Sequence, residues 1–181
     1  MTSSSQDQAI SVLNNHGVIA HQTDTVIGLA CLPIETQLLR LTRIKQRELQ
    51  KSFILLASSI QHLYKYIQVS DKELDTLNTE TKQPTTWLVT ANDHVPLQLI
   101  GETGKIAVRI TNHVGIKSIC DYVGAIASTS ANIAGQPICS DIYHARAVFG
   151  PSIDYIDQNQ TPGTAKSSTI IDLCSKTILR R

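Results

Sequence analysis

Short apolar runs of strand length alternate with segments of helical period along these 181 residues, and that alternation restricts the chain to an α/β layer fold. Helical spacing predicts a first helix from Gln6 to Asn15, with Ala9, Ile10 and Leu13 on one face and Gly17 as its stop. A second is predicted from Glu35 to Ile44, with Leu38, Leu41 and Ile44 in phase. Ser70 and Glu73 form a capping-box pattern that opens a third, and further helices fall near 113–122 and 141–148. The strand candidates are Val18 to Ala20, Phe53 to Ala57, Trp87 to Thr90, Ile106 to Ile110, Ala125 to Thr129 and Thr169 to Leu173. No repeat, low-complexity tract or linker interrupts the pattern, so residues 1–181 are expected to form one domain.

With 41% hydrophobic and 17% charged residues the chain has enough apolar surface to bury a core, which excludes a disordered chain. The net charge of +1 means that affinity for phosphates must come from a local cluster. The MTSSSQDQ start has neither the basic nor the apolar region of a signal peptide, and no apolar stretch is long enough to span a membrane. Cys31, Cys120, Cys139 and Cys174 are scattered, with no CxxC pair. That pattern fits buried thiols in the reducing cytoplasm and argues against a zinc site. In the cytoplasm the sequon at Asn159, Gln160 and Thr161 is a chance match.

Three strand candidates adjoin polar clusters where ordinary turns would be expected. Val18 to Ala20 leads into His21, Gln22, Thr23, Asp24 and Thr25; Ala125 to Ala127 leads into Ser128, Thr129, Ser130, Ala131 and Asn132; Ser167 and Ser168 precede Thr169. Any one cluster alone reads better as helix caps, but three beside a basic run favour a site at one end of the sheet. The basic run is Arg40, Arg43, Lys45, Arg47 and Lys51, opposed only by Glu48. Part of it reads as a solvated helix face, while Lys45 and Arg47 at the helix end suit a triphosphate, with nucleic acid as the rival partner. Arg109 interrupts the apolar segment Ile106 to Ile110. Buried, it requires a carboxylate or phosphate; on an edge strand it would face water.

Gly101 to Lys105 has the look of a phosphate loop but lacks the Walker spacing, and reads better as a turn into the Ile106 strand. No GxGxxG, HExxH or nucleophile elbow occurs, and the six histidines lack ligand spacing, with His21 and His113 placed near the site. Without an acid–base dyad, catalysis would rest on positioning and charge stabilisation.

Taken in order, these clusters resemble the YrdC/TsaC family of threonylcarbamoyl-AMP synthases. Gln22 to Leu29 resembles its PTDTVYGL segment, Lys45-Gln46-Arg47 followed by Lys51 its KxR loop, and Gln83 to Thr86 its GPxT segment. Ala107 to Ile110 with His113 resembles AVRxPxH, Ser128 to Asn132 with Gly135 its STSAN motif, and Ser168 to Ile170 and Leu179-Arg180 its STI and terminal LR elements. Gln22, Ile27, Ser52 and Gln83 depart from the family's usual proline, tyrosine, proline and glycine.

The resemblance implies a twisted, mostly mixed/parallel α/β sheet flanked by helices, around a concave positive cavity. It implies that L-threonine and bicarbonate form a carbamate that attacks the α-phosphate of ATP, giving threonylcarbamoyl-AMP and pyrophosphate. Handover to a tRNA threonylcarbamoyltransferase complex would follow, with tRNA contact possible and no membrane involved. Lys45 and Arg47 would be catalytic; Lys51, Ser130, Asn132 and Arg180 would bind ATP; Thr23, Thr25, Arg109, Ser128 and Ser168 would hold threonine. Magnesium would ride on the ATP, with no protein metal site. Lys45→Ala or Arg47→Ala would abolish turnover and leave the fold intact, both lying in a loop. The chain's end at Arg181 would exclude the longer form with an extra C-terminal domain. The competing reading is a non-catalytic module binding double-stranded RNA or tRNA through the same cavity, opposed by an aromatic content of only 4%. A third keeps the adenylation and changes the acceptor, as in carbamoyl-transfer relatives that carry this domain in much longer chains.

Overall fold

The computed structural model describes residues 4–49, 51–101, 103–157, 163–164 and 166–180. The Asn159 sequon and Arg181 lie outside them. Helix α1 (Ser5–Asn14) starts one residue before the sequence predicts, because Ser4 and Asp7 form a capping box. Helix α2 (Glu35–Ile44) has the predicted bounds. Helix α3 (Asp71–Asn78) opens on the expected box, with the Ser70 amide donating to Glu73 Oε2 at 2.8 Å. Helices α4 (Val114–Val123) and α5 (Ile142–Phe149) fall within a residue of expectation; α5 is capped by Asp141, which accepts from the His144 amide at 2.8 Å.

Strands β1 (Ile19–His21), β2 (Gly28–Cys31), β3 (Ile54–Ala57), β4 (Thr85–Thr90), β5 (Lys105–Ile110), β6 (Ile126–Ser130), β7 (Tyr155–Ile156), β8 (Thr169–Asp172) and β9 (Ile178–Arg180) join one mixed sheet. Its order is β7-β1-β2-β6-β3-β5-β4-β8-β9. The pairings β1–β7, β3–β5 and β4–β8 are parallel, and the other five are antiparallel. The sheet is mixed, as expected, and the strands β2, β7 and β9 come in addition to the predicted ones. Gly101 and Gly104 close the turn into β5, as expected.

Strand alternation then decides where a ligand can lie. Leu29, Leu55, Val108 and Ala127 point to one face, where α2 and α5 contribute Leu38, Leu41, Ala145 and Phe149 to the larger core. On the opposite face α1 and α4 cover Ile19, Ala30, Leu56 and Ile126. The rest of that face stays open as a concavity. Of the cysteines, Cys31, Cys120 and Cys139 are buried as expected, whereas Cys174 is exposed. Burial pushes the thiols of Cys31 and Cys120 up to about 12, which makes both inert near neutrality.

Candidate functional site: a cationic cavity on the open sheet face

The open part of the sheet floors a cavity of about 420 Å³. Cross-strand register explains its composition. Gly28 lies opposite Ser130, Ser128 opposite Ile54, Ile54 opposite Ala107, Leu56 opposite Arg109, and Ala107 opposite Leu88. One stripe crossing five strands therefore presents small, apolar and hydroxyl side chains to the same space. Thr23, Thr25, Arg47, Ser52, Ser168 and Arg180 close its sides. The site lies over a sheet face and not beyond the strand ends, since the antiparallel β2 and β6 bring their hydroxyls inward along the strand.

Three arginines give the cavity its charge. Arg109 is 4% exposed on an interior strand, which settles its orientation: it faces the cavity and not bulk water. Its Nη2 lies 3.1 Å from Asp24 Oδ1, an ion pair lacking hydrogen-bond alignment, and its Nη1 donates to Thr25 Oγ1 at 3.5 Å. Burial lowers the Arg109 pKa, Asp24 opposes that shift, and Arg180 adds to it. Arg47 stacks its guanidinium 3.9 Å from the Phe53 ring centroid and donates from Nη1 to Thr129 Oγ1 at 3.3 Å. Its Nε and Nη2 are buried with no partner, and burial pushes its pKa down to about 10, so it stays charged. Arg180 donates from Nε and Nη2 to the Ser168 carbonyl at 3.2 and 3.0 Å.

The hydroxyls divide into those already committed and those still available. Thr23 Oγ1 donates to the Val26 carbonyl at 2.7 Å and accepts from the Thr25 and Val26 amides at 3.0 and 3.1 Å, so it chiefly shapes the turn. Ser168 Oγ shares a 2.8 Å bond with Thr86 Oγ1, a fully buried residue at the end of the GPxT-like segment that the sequence reading gave no site role.

Lys45, Lys51 and Asn132, assigned to the site from the sequence, are not on the cavity wall. Lys45 is a 3%-exposed helix terminus whose Nζ donates to the Ser130 carbonyl at 2.6 Å, to Asn132 Oδ1 at 2.7 Å and to the Asn132 carbonyl. Lys45 is thus built into the fold, against the expectation of a loop lysine whose loss would leave the fold intact. Asn132 is equally engaged: Oδ1 also accepts from Ser130 Oγ at 2.7 Å, and Nδ2 donates to the Ile133 and Gln136 carbonyls. Lys51 is exposed, beyond Arg47 on the same connection. Ile27 sits in the larger core, away from the cavity, while Ser52 lines it.

His21 and His113 are both buried. Neither ring nitrogen of His113 has a partner. His21 is held neutral: burial lowers its pKa to about 4, with Asp157 and the Gln22 carbonyl opposing and His113 and Arg109 assisting. The unfolded chain therefore takes up this proton first, near pH 6.5, and the native state resists it until about 4. Stability attributable to His21 is full above that window and falls by about 3 kcal/mol as pH drops through it. Urea unfolding of wild type and His21→Gln between pH 7 and 4 checks this; parallel loss in both would refute it.

The family model Sua5_yciO_yrdC, described as "Telomere recombination", matches residues 11–181. Threonylcarbamoyl-AMP synthase of Haemophilus influenzae (strain PittEE) is 34% identical over 182 residues, covering 97% of this chain and 98% of that protein. The protein of the same name from Klebsiella pneumoniae subsp. pneumoniae is 35% identical over 178 residues, covering 96% and 93%. Among solved structures, the H234A/Y235A form of P. abyssi Sua5 superposes with a TM-score of 0.83 at 26% identity, over 92% of this chain and 49% of that one. P. abyssi Sua5 complexed with L-threonine gives 0.81 at 24% identity, over 95% and 52%. The chain thus spans about half the length of the P. abyssi protein and nearly all of the bacterial relatives.

Proposed function

The chain belongs to the Sua5/YciO/YrdC family, and from that membership we propose that it makes L-threonylcarbamoyl-AMP from L-threonine, bicarbonate and ATP, releasing pyrophosphate. The observation that carries this reading is the cavity itself: Arg47, Arg109 and Arg180 converge on a floor rich in hydroxyls and apolar groups, with Asp24 as counter-charge to Arg109. The nearly full-length matches to proteins named threonylcarbamoyl-AMP synthase support the enzyme over a binding module. So does the placement of charge. An RNA backbone needs basic groups on an exposed surface, whereas Arg109 is sunk in the sheet face.

In this reading the enzyme is a nucleotidyltransferase. Arg47, with two buried N–H donors free, takes the phosphates and offsets charge as pyrophosphate leaves. Ser130 and Arg180 contact the nucleotide, Asn132 shapes the loop that presents Ser130, and Lys51 adds charge from the exposed side. Lys45 acts by bracing that loop. Arg109, Thr25, Ser128 and Ser168 hold the threonine and its carbamate, with Thr23 fixing the turn beneath them. Magnesium enters with ATP, because Asp24 is committed to Arg109. The product would pass in the cytoplasm to a tRNA threonylcarbamoyltransferase complex.

Pyrophosphate release from ATP and bicarbonate tests the reading directly. Release is expected to depend on L-threonine and to be much weaker with L-serine. A chain that binds ATP but releases nothing in response to threonine would move the assignment to a different acceptor or to a binding role.

A further inference from the structure

We propose that His21 is a positioning residue which, through Ser128, turns one point of the cavity wall into a neutral hydrogen-bond acceptor for the amino nitrogen of the amino-acid substrate. The inference rests on the threonine-dependent activity proposed above and goes beyond it in naming a residue and an atom-level role.

His21 lies on β1 with its ring on the open sheet face, wholly buried, and its register partner on β2 is Gly28. Its Nδ1 is 3.1 Å from the Gln22 carbonyl oxygen. A carbonyl only accepts, so Nδ1 carries the proton, and a neutral ring then leaves Nε2 as a bare acceptor. Ser128 Oγ lies 3.3 Å from that Nε2 and must donate to it. With its hydrogen so placed, the Ser128 oxygen turns its remaining lone pairs to whatever fills the cavity.

Gly28 keeps this pair accessible. A Cβ at Gly28 would stand 3.0 Å from His21 Nε2 and 3.1 Å from Ser128 Oγ, filling the approach to both. Gly28 and Ser128 both line the cavity. The titratable groups that act on His21 are Asp157, His113 and Arg109.

Arg47, Arg109 and Arg180 present N–H donors suited to carboxylate and phosphate, while Ser130, its hydrogen given to Asn132, is an acceptor two residues further along β6. An α-amino group needs an acceptor, not a donor. A carboxylate would provide one but would also hold the amine as an unreactive ammonium. A serine oxygen backed by a neutral imidazole accepts an N–H without stabilising that positive charge, which suits a nitrogen that must be free of its extra proton to form a carbamate.

The test combines kinetics with a readout on the wild type alone. His21→Leu is expected to raise KM for L-threonine about tenfold, with kcat and KM for ATP within about threefold of wild type. His21→Gln, whose amide oxygen can again accept from Ser128, should restore KM to within about threefold. In a Ser128→Ala background His21→Leu should add nothing further. Independently, 15N spectra of the wild-type imidazoles, with His21 assigned by loss of its signal in His21→Gln, should place its proton on Nδ1. A proton on Nε2, or KM values for threonine and ATP that rise together in both variants, overturns the inference and leaves the synthase reading standing. A wild type with no threonine-dependent release overturns the reading, and the substrate named here falls with it.

Discussion

Arg47→Met is expected to cut the rate of pyrophosphate release by roughly 10²–10³-fold while leaving the melting temperature unchanged or slightly raised. The two halves of this expectation come from the same geometry. Arg47 lies over Phe53 and makes a single weak contact to Thr129, and the remaining donors of its guanidinium are buried without partners. Its charge is therefore a cost to the fold, offset by the stacking and one weak hydrogen bond, and the lowered pKa records that cost. A methionine of similar reach keeps the contact with the Phe53 ring and removes the charge. What is lost appears only when a triphosphate is present and negative charge builds on the departing pyrophosphate. Arg47→Lys should recover little, because a compact ammonium lacks the planar guanidinium that stacks on Phe53 and presents two parallel N–H donors to a phosphate. Thermal unfolding and steady-state pyrophosphate release on the same samples decide the matter. Release within threefold of wild type would remove Arg47 from the phosphate site.

The residues that carry the cavity were largely visible in the sequence, but their arrangement was not. Arg109 could be singled out because a lone arginine in the apolar Ile106–Ile110 segment needs an explanation. Whether it faced water or a site depended on whether β5 was an edge strand, and that is a property of the whole sheet. Helix α2 was legible to the residue because its period is strong and Lys45 follows Ile44 at its terminus. Strand β2 was missed because Gly28 to Cys31 is short, begins with glycine and lacks alternation, being buried on both faces. Strands β7 and β9, of two and three residues, leave too little pattern to read. The apolar floor of Ile54, Leu56, Ala107, Leu88 and Ile170 was likewise invisible as a site. Each residue alone is an ordinary strand residue, and only cross-strand register aligns them. The pairing of His21 with Ser128 has the same origin, joining positions far apart in the chain that no motif links.

Lys45→Met should destabilise the fold by about 3 kcal/mol and lower the melting temperature by about 10 °C, in contrast to Arg47→Met two positions away. The sequence assigns both residues to one phosphate-binding loop, yet their surroundings are opposite. Lys45 Nζ supplies hydrogen bonds to the Ser130 carbonyl, the Asn132 carbonyl and Asn132 Oδ1, and the Ala134 amide returns a bond to the Lys45 carbonyl at 3.0 Å. Burial and the nearby Arg47 push the ammonium down to about 8, so at neutral pH it remains charged and able to donate all three. Methionine fills the volume but leaves those oxygens without a donor, and a buried acceptor stripped of its partner costs more than the bond itself contributes. Ser130 lies on the cavity wall, so activity should fall too, as a consequence of a loosened loop. The separation of the two effects is the test. Measured well below its own melting temperature, Lys45→Met should lose affinity for ATP, with KM rising more than kcat falls, because the bracing of Ser130 and Asn132 is a ground-state property. If Lys45→Met instead melts with wild type and loses kcat alone, Lys45 leaves its cage during turnover and acts on the phosphates directly.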